Sequence, residues 1–232
     1  MIIALNNKSN LTKEEFLKYQ EAIKKLSFKT TDVILIPSNI YLSIVSTPNI
    51  SLGSQNVSMY EMGPHTGEVS AVQLKQLGVK YCLVGHSERR KEQHETNAEI
   101  NGKIKSLLNQ DIIPILCIGE TKEEKNAAHT VVYQELQAAL SGVTEEELEK
   151  VIFAYEPIWS IGTGLIPTSS EIESIISIIK ETYPNNRVLY GGSVTIDNIE
   201  KLTQEKTVDG YLLGGLSLQL DKVQELIDKI EK

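Results

Sequence analysis

The chain has 232 residues, 41% hydrophobic and 23% charged, with 31 acidic against 23 basic side chains and a net charge of −8. That composition excludes a disordered or collagen-like chain, and the acidic balance provides no general field for nucleic acid or an anionic membrane surface. At roughly 100–200 residues per domain, the length allows one large domain or two small ones, with a core that needs neither disulfides nor metal.

The first predicted strand, Ile2–Leu5, leads to a helix over Thr12–Leu26. Thr12 with Glu15 forms a capping box, and Phe16, Tyr19, Ile23 and Leu26 fall at helical spacing. Strands follow at Val33–Ile36 and Ile50–Leu52, then a helix at Val69–Leu77, a strand at Tyr81–Val84 and a helix at Ala98–Leu108. The run Ile112–Ile118 is the longest apolar stretch and reads as a strand, far short of the roughly 20 residues of a bilayer span. A helix is predicted over Lys122–Leu140, a strand at Val151–Tyr155, and a helix over Ser170–Thr182 with Ser170 and Glu173 as its capping box. Strands at Val188–Tyr190 and Tyr211–Leu213 alternate with helices at Ile196–Leu202 and Val223–Ile230.

The strands are continuously apolar, as parallel strands covered on both faces must be. Strand–helix alternation over the whole chain predicts a parallel α/β fold, either an eight-stranded barrel or a doubly wound sheet. No linker divides the chain, so residues 1–232 are expected to form one domain. The opening MIIALNNK lacks a basic leader and predicts no signal peptide. Cys82 and Cys117 lie in apolar runs, which predicts buried free thiols, a reducing cytoplasm and no disulfide framework.

The residues that carry chemistry cluster just after strands, where both parallel architectures place ligands. Glu156 ends the sixth strand unit between Tyr155 and Pro157, where a carboxylate shielded from water can take a proton from carbon. The segment after it, PIWSIGTG (Pro157–Gly164), has the composition of a loop hinged at both ends that closes over a ligand. His86 precedes a helix start at Ser87–Glu88, and amides there favour a neutral imidazole able to donate to a developing oxyanion. Lys8 follows the first strand and is the one basic group placed early enough to neutralise an anionic intermediate. Gly191–Gly192–Ser193 and Gly214–Gly215, after consecutive strands, match the phosphate site of an eight-fold barrel. Taken singly, each of these also has a plain structural reading: a rim carboxylate, a capping histidine, a surface lysine, a glycine turn. The four histidines, at 65, 86, 94 and 129, lack metal-ligand spacing, so no metal is expected. Neither a Walker A sequence nor GxGxxG is present, which argues against nucleotide binding.

GHSERR (Gly85–Arg90), AYEPIWSIGTG (Ala154–Gly164), YGGSV (Tyr190–Val194) and DGYLLGG (Asp209–Gly215), in this order, closely resemble the triosephosphate isomerase family. The stretch Thr66–Arg90 and CIGET (Cys117–Thr121) extend the resemblance to nearly the whole chain. It implies a (β/α)8 barrel that interconverts dihydroxyacetone phosphate and glyceraldehyde 3-phosphate without a cofactor. It further implies Glu156 as catalytic base, His86 as electrophile, Lys8 as the group that stabilises the enediolate, and Asn6 beside it. Backbone N–H groups of Gly162, Ser193, Gly214 and Gly215 would bind phosphate, and Glu88 would position Lys8 or His86. A homodimer is also implied, with the segment Gln55–Glu68 reaching the partner's Lys8 region through Thr66 at its tip; the apolar Met59, Tyr60 and Met62 fit such a contact. Where the family usually reads N-W-K-M-N, this chain has Asn6-Asn7-Lys8-Ser9-Asn10; Gln93 replaces a Phe, Leu216 an Ala, and Leu165-Ile166-Pro167 a Lys-Thr-Ala. Two further readings are another phosphosugar enzyme on the same barrel and a non-catalytic phosphosugar-binding protein derived from the isomerase.

Overall fold

The computed structural model describes residues 1–163, 165–203 and 207–232. Among these are eight strands: β1 (Ile2–Asn6), β2 (Asp32–Ile36), β3 (Ser51–Ser54), β4 (Tyr81–Val84), β5 (Ile113–Ile118), β6 (Ile152–Tyr155), β7 (Val188–Tyr190) and β8 (Gly210–Leu213). They pair in sequence order, all parallel, and β8 returns to β1, so the sheet is a closed barrel and not a doubly wound one. Ile2 stands opposite both Asp32 of β2 and Gly210 of β8. A Cβ on Gly210 would lie 2.2 Å from the Ile2 carbonyl oxygen, so the seam closes only with a residue that has no side chain.

Side chains alternate along each strand, and the two sets form two cores. Ile2, Ala4, Ile34, Ile36, Leu83, Ile115, Ile152, Ala154, Leu189 and Leu212 fill the barrel interior. Their neighbours, such as Ile3, Leu5, Leu116, Phe153, Tyr190 and Leu213, face outward against the helices. This explains why the strands show no polar alternation: both faces are buried. The parity also aims the chemistry. Asn6 continues the inward row of Ile2 and Ala4, and Glu156 continues that of Ile152 and Ala154, so both project into the barrel mouth at the C-terminal ends of the strands.

The helical layer contains α1 (Lys13–Ile23), α2 (Ala71–Gln76), α3 (Ser87–Gln93), α4 (Asn97–Leu108), α5 (Ala128–Ala139), α6 (Glu145–Leu148), α7 (Ser169–Thr182), α8 (Ile199–Thr203) and α9 (Leu220–Ile230). Helix α1 begins at the expected capping box, in which the Glu15 N–H donates to Thr12 Oγ1 and the Thr12 N–H to Glu15 Oε2, and it buries Phe16, Tyr19 and Ile23. Helix α7 starts earlier than expected: Thr168 with Glu171, not Ser170 with Glu173, forms the box. Both pairs have the same spacing, and Pro167 just upstream leaves Thr168 as the first residue that can cap. The helix expected over Lys122–Leu140 is shorter, because Thr121 donates through N–H and Oγ1 to Glu124 and a 3-10 turn over Lys125–Ala127 precedes α5. Helix α6 and a 3-10 turn over Asn39–Ile44 lie outside the predicted elements. No described helix is long and apolar enough to cross a membrane.

At the end of the barrel opposite the mouth, Glu231 beyond α9 caps the approach to β2. Its carboxylate accepts N–H bonds from Lys29, Thr30 and Thr31 at 2.8–3.0 Å. The backbone bond from Thr30 leads those that hold its pKa down, from 4.5 to about 2. A depressed folded pKa gives stability that is present above pH 4.5 and lost as pH falls through about 2. Glu231→Gln should therefore lower Tm at neutral pH and flatten the loss of stability between about pH 4.5 and 2, read by thermal melts across pH. An unchanged acid limb would contradict this role for the carboxylate.

Candidate active site

Lys8 leaves β1 in the left-handed region (φ +52°), which costs a non-glycine residue roughly 1–2 kcal/mol. Two side chains hold it there: Asn6 Oδ1 accepts the Lys8 N–H at 3.0 Å, and Gln55 Nε2 donates to the Lys8 carbonyl at 2.7 Å. The conformation sends the ammonium across the mouth to an ion pair with Glu88 Oε1, with three-quarters of the side chain covered.

His86 follows β4 and is itself the N-cap of α3. The Glu88 N–H donates to His86 Nδ1 at 3.3 Å. Nδ1 therefore acts as acceptor, and the neutral ring carries its proton on Nε2. That nitrogen lies 3.4 Å from Glu156 Oε1, with both side chains buried. Glu88 thus touches both neighbours, Lys8 through its carboxylate and His86 through its backbone.

Glu156 is 3% exposed, and its Oε2 has no hydrogen-bond partner among the described residues. Burying a carboxylate oxygen unpaired is expensive, so this atom is held ready for a donor. The fit around it is close. A Cβ on Gly191 would lie 2.7 Å from Glu156 Cγ, so the glycine after β7 is needed to admit the carboxylate. Cys117, inside the barrel beneath it, is a free buried thiol, which burial and the neighbouring Glu156 carboxylate push well above the ordinary cysteine range.

Beyond Glu156, a 3-10 turn over Ile158–Ser160 opens the segment read as a closing loop. Trp159 Nε1 donates to Glu120 Oε1 at 2.7 Å, and Tyr155 donates its hydroxyl to the same oxygen at 3.3 Å. Lys125 stands 4.1 Å over the Trp159 ring. Ser160 is fully buried and ties this segment to the turn after β7: the Ser193 N–H donates to Ser160 Oγ at 3.3 Å, and Ser193 Oγ donates to the Ser160 carbonyl at 2.6 Å. Gly164, the far end of the expected loop, lies outside the described residues.

A cavity of about 240 Å³ occupies the mouth, below the roughly 300 Å³ of drug-sized pockets and suited to a small ligand. Asn6, Lys8, His86, Glu156, Gly162, Ser193, Gly214 and Gly215 all line it, so eight of the ten residues expected at the site converge on one space. Glu88 lines an adjoining cavity of about 290 Å³ that shares Asn6, Lys8 and His86 and extends to Gln55, Asn56 and Arg89. Thr66 lines neither. It is exposed in a turn closed by the Glu68 N–H donating to the His65 carbonyl at 3.1 Å, near the stacked rings of Tyr60 and His65. Gln55, Cys117, Ser160 and Glu120 also support the site, and sequence reasoning gives none of them a role there; Gly191 stands in the glycine turn expected to bind phosphate. Cys117 and Glu120 lie in CIGET and Ser160 in AYEPIWSIGTG, whereas Gln55 carries no chemical signal of its own.

A family model described as Triosephosphate isomerase matches residues 1–230. Proteins named triosephosphate isomerase from Caldanaerobacter subterraneus subsp. tengcongensis and Alkaliphilus metalliredigens are each 38% identical to the chain; the alignments cover 98% and 95%, respectively, of both partners. One from Mycoplasmopsis agalactiae is 46% identical over 78% of this chain and 70% of its own length. With a closed parallel barrel, a carboxylate–imidazole–ammonium set at its mouth and a match over nearly its full length, the chain belongs to the triosephosphate isomerase family.

Proposed function

We propose that the chain, as one barrel domain over residues 1–232, interconverts dihydroxyacetone phosphate and D-glyceraldehyde 3-phosphate by proton transfer through an enediolate. The observation that carries this reading is the convergence of Lys8, His86 and Glu156 with the two glycine turns on one cavity. Glu156 takes a proton from the carbon beside the carbonyl and returns it to the adjacent carbon, while the hydroxyl proton passes from one oxygen to the other beside His86 Nε2, so the isomers differ only in where hydrogen and the carbonyl sit. The His86 Nε2–H donates to the oxygen on which charge develops, and Lys8 neutralises that charge; the triosephosphate isomerase reaction is itself a standard illustration of this division of labour.

The formal charges of Lys8, Glu88 and Glu156 sum to −1 with His86 neutral, so side chains alone do not attract a phosphate dianion. Backbone N–H groups of Gly162, Ser193, Gly214 and Gly215 supply the remainder. Ser193 exchanges Ser160 Oγ for a phosphate oxygen when substrate arrives, which joins phosphate binding to the segment beginning at Pro157. Closure of that segment excludes water and protects the enediolate from loss of phosphate.

A coupled assay on the purified chain tests the reading. Turnover of glyceraldehyde 3-phosphate is expected, whereas binding of 2-phosphoglycolate with no turnover would favour a non-catalytic ligand-binding protein.

The proposed assembly is a homodimer in which Thr66 of each chain meets the partner's Lys8 region. Met62 at 66% exposure and Tyr60 at 46% support it, since exposed apolar side chains grouped on one loop mark contacts. Light scattering at micromolar concentration should give twice the 25.8 kDa chain mass, and a monomer throughout would contradict the dimer. The buried free thiols Cys82 and Cys117 fit a reducing, cytoplasmic setting.

A further inference from the structure

The residue between Asn6 and Lys8 has no part in the chemistry above, yet it is among the most enclosed polar groups in the protein. Asn7 is 2% exposed, and its Oδ1 has no hydrogen-bond partner among the described residues. An amide that leaves its acceptor unpaired in the interior is kept for its donor. Asn7 Nδ2 donates to Ser217 Oγ at 3.2 Å, across 210 positions of sequence, and Ser217 Oγ donates in turn to the Asn6 carbonyl at 3.1 Å. Ser217, fully buried, belongs to the 3-10 turn Gly215–Leu218 that follows β8, and its N–H donates to the Gly214 carbonyl at 2.9 Å. Tyr19 of α1 closes the cluster by donating its hydroxyl to the Ser217 carbonyl at 2.8 Å. Burial pushes the Tyr19 phenol up to about 12, so it remains a donor at neutral pH.

The cluster therefore joins the loop that presents the Lys8 ammonium to the turn that presents the Gly214 and Gly215 amides. The two come close at one point: a Cβ on Gly214 would stand 3.4 Å from Lys8 Cε. A phosphosugar held between ammonium and amides needs that spacing set before it arrives, because errors of about 1 Å in such positions cost about 10²-fold. Other bonds fix each loop locally, Gln55 and Asn6 on Lys8 and the Gly214–Ser217 turn on itself. Two bonds join the loops to each other, Asn7 Nδ2 to Ser217 Oγ and Ser217 Oγ to the Asn6 carbonyl, and both run through the Ser217 hydroxyl.

We propose that Asn7 is a positioning residue for phosphate: through Ser217 it sets the distance between the Lys8 ammonium and the amides of Gly214 and Gly215. The inference rests on phosphate binding at those amides, as proposed above. Asn7 touches neither the carbon acid nor Glu156, so its loss should weaken capture of the dianion and leave proton transfer in the bound complex nearly intact.

The test is a cycle of Asn7→Ala, Ser217→Ala and the double variant, with KM, kcat and competitive inhibition by inorganic phosphate measured for each. KM and the phosphate Ki should each rise about tenfold in either single variant, with kcat within about threefold of the unaltered protein. The double variant should match Ser217→Ala within about twofold, because removing the Ser217 hydroxyl already deletes the bond that Asn7→Ala breaks. Ser217→Ala deletes one oxygen and keeps the test alive if Asn7→Ala fails to fold. An unchanged phosphate Ki in folded Ser217→Ala would overturn the proposal, as would multiplicative effects in the double variant or a fall in kcat at constant KM. Phosphorus NMR line broadening reads phosphate binding without turnover. An inactive unaltered protein that still binds phosphate more tightly than Ser217→Ala would therefore overturn the isomerase reading while upholding the role of Asn7.

Discussion

Replacing Glu156 by Gln should lower kcat by about 10²–10⁴ and leave binding of 2-phosphoglycolate in place. The substitution preserves the shape of a side chain that fits against Gly191, where a Cβ would approach Cγ to 2.7 Å, so the surroundings have no reason to move. It also retains an oxygen that can face His86 Nε2, which stands 3.4 Å from Oε1 in the native protein. What is lost is basicity: an amide cannot hold a proton taken from carbon. The group is 3% exposed, so water has little access to replace it as the acceptor. Steady-state kinetics by coupled assay and inhibitor titration by Trp159 fluorescence separate the two effects. Near-normal turnover would remove Glu156 from the role of base.

Lys8→Met should damage binding and turnover together, lowering kcat/KM by roughly 10³ or more. Methionine matches much of the lysine stem, so packing against Gly214 is retained while the ammonium is removed. Hydrogen bonds to a charged group are worth about 1.5–3 kcal/mol each, which alone is roughly 10- to 100-fold in affinity for the substrate. The same ammonium faces the oxygen that becomes negative along the reaction, so kcat falls as well. Glu88 then loses its cation, but its side chain is 45% exposed and water can solvate it, so the fold should survive. Kinetics equal to those of the unaltered protein would place Lys8 outside the site.

The architecture was legible because parallel strands buried on both faces leave an unmistakable run of apolar residues between capped helices. Periodicity alone leaves closure open, since eight strand–helix units can also wind into an open sheet; the strand-end motifs and the family resemblance point to the barrel, and β8 pairing with β1, a contact that spans the whole chain, shows it. Local ambiguity explains the misplaced start of α7, where Thr168–Glu171 and Ser170–Glu173 offer the same signature and the upstream proline selects the first. The 3-10 turn Asn39–Ile44 carries neither helical period nor cap bond, so nothing in the sequence marks it. Lys8, His86 and Glu156 could be found because each sits one to three residues beyond a predicted strand, which is where a barrel exposes its functional groups. The residues that support them depend on long-range meetings. Gln55 reaches the Lys8 carbonyl, Ser160 meets Ser193, and Asn7 meets Ser217, and each pair joins different strand-end loops. Pattern reading works within a helix or strand and has no access to such pairs.

Proton transfer by Glu156 is tested most directly by running the isomerisation in D2O and reading the product by proton NMR. Deuterium should appear on the carbon next to the carbonyl with the unaltered protein, because a proton held on Glu156 can exchange with solvent before it returns. Glu156→Gln should abolish that label in step with turnover. Isomerisation and labelling by Glu156→Gln at the rate of the unaltered protein would mean that another group takes the proton, and Glu156 would then not be the base.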